Sequence, residues 1–182
     1  MHSRAVGSRC LIFTLSVALA TSCQNVLGQD HRYTSTMEVP AKANRSLPGP
    51  DGQGILLAAN GVLALSEGKS RRDLLQYNRT LTLGWSPDSK HFFVNDEASS
   101  DRTDLYVYGR RTGRRRGLRS VILRADPELR RFAHVGSHMY ISANRWIDAQ
   151  TLEVEVSGHT DSPVQDFDRK FRVSIDGKVA AL

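Results

Sequence analysis

Two histidines in the second half of the chain have a spacing that metal sites use. His134 and His138 stand four positions apart, which would place both imidazoles on one face of a helix. Gly136 and a predicted change from helix to strand spoil that geometry. Cys10 and Cys23, the cysteines of the chain, lie far away near its start and cannot complete a site. We therefore expect two incidental histidines here, and no bound metal or other cofactor.

Four carboxylates cluster in one predicted loop. They belong to Asp96, Glu97, Asp101 and Asp104. Carboxylate oxygens are ligands that Ca²⁺ prefers, but a calcium-binding loop places its acidic residues at fixed alternate positions followed by a glycine. This segment lacks that order, so a solvated hairpin loop is the expected structure.

The residue types of a hydrolase triad occur together in the segment GHTDS, 158–162. Triads are assembled from distant parts of a fold, so neighbours in sequence seldom form one. The sequence contains neither a G-x-S-x-G turn nor a glycine-rich phosphate loop. These observations favour a non-catalytic protein. A small exported hydrolase with an unrecognised active site is the alternative.

Arginine is concentrated in one part of the chain. Nine arginines lie between Arg110 and Arg131, against Asp126 and Glu128, for a local charge of +7. The remainder after residue 28 has 14 basic and 17 acidic residues. Such a run of arginines forms either a solvated strand edge or a surface that binds an anionic partner. The nearby tyrosines either pack in a core or contribute to an interface. The residues assigned to partner binding are Arg110, Arg111, Arg114, Arg115, Arg116, Arg119, Tyr106 and Tyr108.

The first residues have the pattern of a signal peptide. Arg4 and Arg9 precede an uncharged run, CLIFTLSVALA (10–20), which is too short to span a membrane. Export argues against nucleic acid as the partner of the arginines. No later segment is apolar and long enough for a transmembrane span. We expect a protein of the periplasm or one anchored at the outer membrane, with secretion as the alternative.

The position at which the signal peptide is cleaved decides whether the mature protein is anchored to a membrane by lipid or is free. Small residues allow cleavage after Ala20 or after Gly28, so we assign 1–28 to the signal peptide. The residues before Cys23 also resemble a bacterial lipobox, with Cys23 as the lipidated residue. A mature chain cut at either site holds no disulfide.

The remaining chain divides into a linker and a β-rich domain. Residues 29–52 have no sustained periodicity and three prolines, which is typical of a linker or N-terminal arm. Alternating apolar residues in 53–182 predict successive strands, with Asn60-Gly61 and Asp176-Gly177 as hairpin turns of the same kind. Asp126–Ala133 is the segment with a helical pattern, with Asp126 as its cap.

Residues 84–113 (GWSPDSKHFFVNDEASSDRTDLYVYGRRTG) carry the one family resemblance. The segment Trp85–Lys90, followed by an apolar strand, resembles the W-S-P-D-G-K turn of WD40-like and TolB-like β-propeller blades. Pro87 presets the turn and Asp88 bonds its backbone. Ser89 replaces the usual glycine, and Gly109 replaces the aspartate expected in the later turn.

The resemblance implies an all-β fold, a small or partial propeller-like array of antiparallel sheets. Weaker echoes after residue 113 bring the blade-like units to three or four, against the 4–8 of a closed propeller. Assembly with copies of itself would complete a ring, and a β-sandwich is the alternative fold. The expected function is that of a binding or scaffold module that holds a protein or an anionic component of the cell envelope.

Overall fold

The computed structural model describes residues 36–133, 137–161 and 163–182, so the predicted signal segment with Cys23 lies outside the described residues. Strands dominate these ranges, with one short α-helix and one 3₁₀ turn among them. The elements in chain order are β1 (Met37–Val39), β2 (Arg45–Pro48), β3 (Gly54–Ala59), β4 (Val62–Glu67), β5 (Ser70–Gln76), β6 (Leu81–Trp85), β7 (His91–Ser99), β8 (Arg102–Gly109), β9 (Arg115–Gly117), α1 (Arg119–Ala125), the 3₁₀ turn (Leu129–Phe132), β10 (Ser137–Trp146), β11 (Thr151–Thr160), β12 (Asp166–Ser174) and β13 (Val179–Ala181).

A four-stranded antiparallel meander, β2-β3-β4-β5, forms the smaller sheet. Its central hairpin turns at Asn60 and Gly61, whose φ angles are 52° and 75°. Positive φ at both central residues is what a type I′ turn requires, and it confirms the predicted hairpin. Val62 lies opposite Ala59, so the register follows directly from this turn.

A second antiparallel group has the order β1-β6-β7-β8, with β9 on part of β8. The turn between β6 and β7 is held by side chains, as its sequence predicts. Asp88 Oδ1 accepts the Lys90 backbone N–H at 3.1 Å and the Ser86 hydroxyl at 2.7 Å. Ser86 Oγ also accepts the His91 N–H at 2.9 Å. These bonds set the angle at which β7 leaves Trp85.

The third antiparallel group is β10-β11-β12-β13. It joins the second through a short parallel contact in which Met139 and Tyr140 of β10 lie opposite Arg102 and Thr103 of β8. The predicted hairpin at Asp176-Gly177 is present between β12 and β13. Its turn differs from the predicted kind, because φ is positive at Gly177 (93°) and not at Asp176.

Two cores pack these groups together. The small-sheet core lies between the smaller sheet and strands β1, β6, β7 and β8; it includes Leu56, Leu63, Leu83, Trp85 and Phe92. The helix-side core joins β7 and β8 to β10, β11 and β12 under α1; it includes Phe93, Leu105, Ile122, Ile141 and Val154. Strand alternation explains the division, since Phe92 and Phe93 are neighbours that enter different cores.

Two buried polar contacts cross the helix-side core. The Asn95 side chain on β7 accepts the Ala143 N–H at 2.9 Å and donates to the Ala143 carbonyl at 3.0 Å. The Trp146 indole donates to the Gly84 carbonyl at 3.0 Å. Ala143 stands at a bulge in the β10–β11 pairing, where its own backbone groups need another partner.

The helical segment was predicted in the wrong place. The α-helix is Arg119–Ala125, and the predicted segment 126–133 holds the 3₁₀ turn Leu129–Phe132. Asp126 does bond the start of that turn, because its Oδ1 accepts the N–H groups of Glu128 and Leu129. A single apolar face, with Ile122 buried and Arg124 exposed, is enough to hold α1 on the core.

The described part of the chain is therefore all-β, an array of antiparallel sheets in which no sheet closes into a barrel. This confirms the predicted fold class, and the array is consistent with either a propeller or a sandwich. Two strands, β1 and β2, lie inside the segment 29–52 that the sequence assigned to a linker or arm. They pair with β6 and β3, so this part of the segment belongs to the sheets.

Candidate binding surface

The two tyrosines assigned to partner binding, Tyr106 and Tyr108, lie on the same face of β8 but are buried to different extents. Leu105 and Val107 enter the helix-side core, whereas Tyr108 enters the small-sheet core. Tyr108 is 1% exposed and stacks on Phe92, with ring centroids 5.1 Å apart. Burial raises the pKa of the Tyr108 hydroxyl. Of the two roles expected for tyrosines, Tyr108 has the packing role.

Tyr106 remains at the surface, half-buried beside β9. The Arg115 guanidinium lies over its ring, 4.7 Å from the centroid. Burial raises the pKa of Tyr106, and the Asp104 carboxylate raises it further. A cation–π contact at an exposed site contributes about 0.5–1 kcal/mol, enough to favour one orientation of the arginine. Tyr106 thus holds Arg115 in place.

Arg110 bonds within the protein instead of lying open on the surface. Its Nε lies 2.7 Å from Glu67 Oε1 and its Nη1 lies 2.5 Å from Asp51 Oδ2. The side chain is 13% exposed, and its guanidinium lies 5.9 Å from the Trp85 ring centroid. The Gln53 backbone N–H and the Arg110 guanidinium hold the pKa of Asp51 below its ordinary value. Arg110 therefore connects the end of β8 to the smaller sheet.

Arg119 is also occupied internally. Arg119 and Arg102 both face Asp104, which is 5% exposed. Arg119 Nη1 lies 3.5 Å from Asp104 Oδ1, and Arg102 Nη2 lies 2.7 Å from Asp104 Oδ2. Burial lowers the pKa of Arg119, and the Asp104 carboxylate opposes that change. A buried carboxylate needs such partners, so these two arginines stabilise the fold around Asp104.

Four other arginines of the run are exposed on the β8–β9 hairpin, and we call them the basic hairpin: Arg111, Arg114, Arg115 and Arg116. Within the described ranges none of them forms an ion pair with a carboxylate. Arg116 Nη1 donates to the Ile175 carbonyl at 2.6 Å, which fixes this side chain against the β12–β13 turn. Among the described residues no ion pair therefore neutralises the basic hairpin, although the Arg115 charge acts on the Asp96 carboxylate.

A fifth arginine joins the basic hairpin from the smaller sheet. Gly113, at φ 64°, lies against Arg72 of β5; a Cβ on this glycine would be 2.6 Å from Arg72 Nη1. Arg72 is exposed and, in the part of the chain that the structure describes, has no carboxylate partner. The sequence did not predict this neighbour, because it requires the packing of β5 beside the hairpin.

The four carboxylates of the predicted acidic cluster have different surroundings in the fold. Asp96 and Asp104 lie directly opposite each other on β7 and β8. Burial and the Asp104 charge raise the pKa of Asp96. Asp104 is neutralised by two arginines, while Asp101 is exposed and accepts the Ser99 hydroxyl. In residues 36–133, 137–161 and 163–182 these carboxylates form no group of potential metal ligands.

Histidine ligands are brought together elsewhere, from two segments that the sequence treated separately. His134 lies outside the described residues, so its spacing to His138 is not tested. Strand pairing instead places His138 opposite His159, and Asp161 lies next to both. These side chains form the one group of three or more potential metal ligands within the described residues. The β10–β11 register, which is not readable from spacing alone, brings them together.

No protein-family model matches this chain, and no curated protein shows a significant match to it. The propeller resemblance of residues 84–113 consequently stays a prediction. None of the helices in the described ranges has the length and apolar character needed to cross a membrane.

Proposed function

We propose that this protein is a non-catalytic binding or scaffold module of the cell envelope, which holds an acidic protein or an anionic envelope component on the basic hairpin. One observation carries the proposal. The fold neutralises Arg102, Arg110 and Arg119 internally but leaves the basic hairpin exposed without carboxylate partners in the described ranges.

The local geometry suits recognition of carboxylates or phosphates. A guanidinium presents several N–H donors in a rigid plane and binds these groups in a bidentate manner. Tyr106 and the Ile175 carbonyl orient Arg115 and Arg116 before any partner binds, which lowers the entropy lost on binding. Arg72 widens the positive surface onto the smaller sheet. Tyrosine and arginine are also the residue types that contribute most at protein interfaces.

We also propose that the protein is exported from the cytoplasm. An N-terminal segment with the features of a signal peptide would export the chain, and Cys23 is the residue that a lipid anchor would use. The resemblance of residues 84–113 to a propeller blade fits a scaffold role, because propellers present several surfaces to partners. Assembly of this chain with copies of itself is an extension of that role.

Binding to the washed envelope fraction of the source cells tests the proposal. A chain starting at residue 29 is sedimented with these membranes, alongside the variant Arg111→Gln/Arg114→Gln and the control Arg124→Gln/Arg131→Gln. All four positions are exposed and both variants lose the same charge. We expect binding that weakens at least tenfold in the first variant and less than twofold in the control. Loss of binding after protease treatment of the membranes would indicate a protein partner, and persistence an anionic lipid or polymer.

Equal sedimentation of the wild-type chain and the Arg111→Gln/Arg114→Gln variant would contradict the proposal. Equal weakening by both variants would also contradict it, because net charge and not the basic hairpin would then govern binding.

A further inference from the structure

His138 and His159 form a cross-strand imidazole pair near one end of the β10–β11 hairpin. The two residues lie directly opposite each other, and their rings stack with centroids 4.2 Å apart and 17° between the planes. Asp161 follows β11 and brings its Oδ1 to 3.5 Å from His138 Nε2. One potential ligand atom of each side chain lies within 4.8 Å of the others. Two nitrogens and a carboxylate oxygen are therefore gathered at one half-buried point.

Hydrogen bonding settles which nitrogen of His138 carries a proton. The Tyr140 hydroxyl donates to the Ser100 carbonyl at 2.9 Å, since a carbonyl only accepts. Its oxygen then accepts from His138 Nδ1, which lies 3.1 Å away. Nδ1 is thus the protonated nitrogen, and in the neutral ring Nε2 carries the lone pair. Metal-binding histidines are commonly oriented in this way by a partner on their other nitrogen.

Asp161 brings a carboxylate oxygen close to the Nε2 atom of His138. With Nδ1 protonated, the neutral ring turns the Nε2 lone pair toward a carboxylate oxygen, and two acceptors at this distance repel each other. A metal ion bound between the two atoms removes the repulsion. The His159 ring, stacked on the first, supplies another nitrogen ligand.

We propose that His138 Nε2, His159 and Asp161 bind a divalent transition-metal ion, with Zn²⁺ as the best match. Imidazole and carboxylate ligands together suit zinc, and three protein ligands leave a fourth tetrahedral position for water. Bonds of about 2.0–2.1 Å place tetrahedral ligand atoms roughly 3.3 Å apart, so the most widely spaced of these atoms close in by up to about 1.5 Å on binding. Asp161 is 57% exposed and free to make that movement, while the stacked rings tilt apart.

Calorimetric titration with ZnCl₂ at pH 7.5 tests the site on the purified chain after treatment with a chelator. We expect one Zn²⁺ per chain, with affinity reduced at least tenfold in His159→Gln and in Asp161→Asn. His91→Gln is the control, because His91 belongs to no such group among the described residues. Circular dichroism without metal shows whether each variant is folded, and two ligand variants guard against the misfolding of one.

A variant beside the site separates ligand positioning from ligand loss. Tyr140→Phe keeps all three ligands but removes the acceptor that holds the His138 Nδ1 proton. Loss of such a partner typically weakens metal binding about 10- to 100-fold, and we expect a loss in that range. Unchanged affinity in this variant would overturn the assignment of Nε2 as the ligand atom. Zn²⁺ binding that is equal in wild type, His159→Gln and Asp161→Asn would overturn the site itself.

Discussion

Ser89 adopts a backbone conformation that side chains other than glycine rarely adopt, with φ at 58°. The resembling blade turns place glycine there, so the serine requires a reason. Its hydroxyl accepts the Asp51 N–H at 3.0 Å, and the side chain is almost fully buried. The left-handed conformation costs roughly 1–2 kcal/mol for an L-residue. The bond to Asp51 offsets part of this cost by connecting the β6–β7 turn to the β2–β3 turn.

Substitution of Ser89 separates the two contributions. Ser89→Ala keeps the backbone strain and leaves the Asp51 N–H without its acceptor, so we expect the free energy of unfolding to fall by about 1–2 kcal/mol. Ser89→Gly loses the same acceptor but relieves the strain, and we expect a change under about 1 kcal/mol. Urea denaturation measures both values. A glycine variant that is less stable than the alanine variant would contradict this explanation.

Asp96 gives the protein a pH dependence with a defined sign. Burial, then the opposing Asp104 carboxylate, raises the pKa of Asp96 above its ordinary value of 3.8. The folded state therefore holds this proton more tightly than the unfolded state does. The contribution of Asp96 to stability is complete below pH 3.8 and is lost as the pH rises through the folded-state pKa.

Asp96→Asn removes this titration while keeping a neutral polar side chain. We expect the variant to be more stable than wild type at pH 7, because no second carboxylate then faces Asp104. The advantage should shrink as the pH is lowered toward 4. Urea denaturation across this pH range measures the difference, and a stabilisation that grows on acidification would rule the explanation out.

At the scale of elements, Arg110 connects the end of β8 to the smaller sheet. It reaches Glu67 at the end of β4 and Asp51 in the β2–β3 turn, and its guanidinium lies against Gly54 and Trp85. Both carboxylates are partly exposed, so water screens these ion pairs. Two charge-assisted hydrogen bonds and low exposure of the guanidinium nevertheless make this contact stronger than an ordinary surface pair.

Arg110 and Arg111 form a matched pair for testing that connection. Arg110→Gln should lower the free energy of unfolding by about 1–3 kcal/mol, because two charge-assisted hydrogen bonds are lost. Arg111→Gln removes an exposed arginine without a carboxylate partner in the described ranges and should change it by less than about 0.5 kcal/mol. Thermal and urea denaturation measure both. Similar effects of the two substitutions would contradict the division between structural and unpaired arginines.

The elements differ in how well their sequences predict them. Leu152, Val154 and Val156 alternate with glutamates, and Asn60-Gly61 specifies its own turn, so β11 and the β3–β4 hairpin were predictable. The strands β1 and β2 have three and four residues, too few for alternation to show. The helix α1 was missed because Val121, Ile122 and Leu123 form a short apolar run, which periodicity cannot assign to helix or strand.

At the scale of the whole molecule, the sequence predicted the concentration of arginine but not its division. Composition shows that the charge is clustered. Only packing shows that Arg110 and Arg119 pair with carboxylates of the same chain and that Tyr108 lies in a core. Arg72 and the His138–His159 pair depend on contacts between elements distant in sequence. Local sequence patterns predict strands and turns. The packing and pairing of elements distant in sequence decide which side chains come into contact.

The unpaired charge of the basic hairpin is the central claim, and site-specific photocrosslinking in intact cells of the source organism tests it most directly. A photoreactive amino acid replaces Arg114 in one chain and Arg131 in another, since both positions are exposed. We predict a discrete adduct from position 114, lost when Arg111 and Arg115 are also changed to glutamine, and no such adduct from position 131. An adduct of equal yield from both positions, or one from 114 that survives these changes, would contradict the claim.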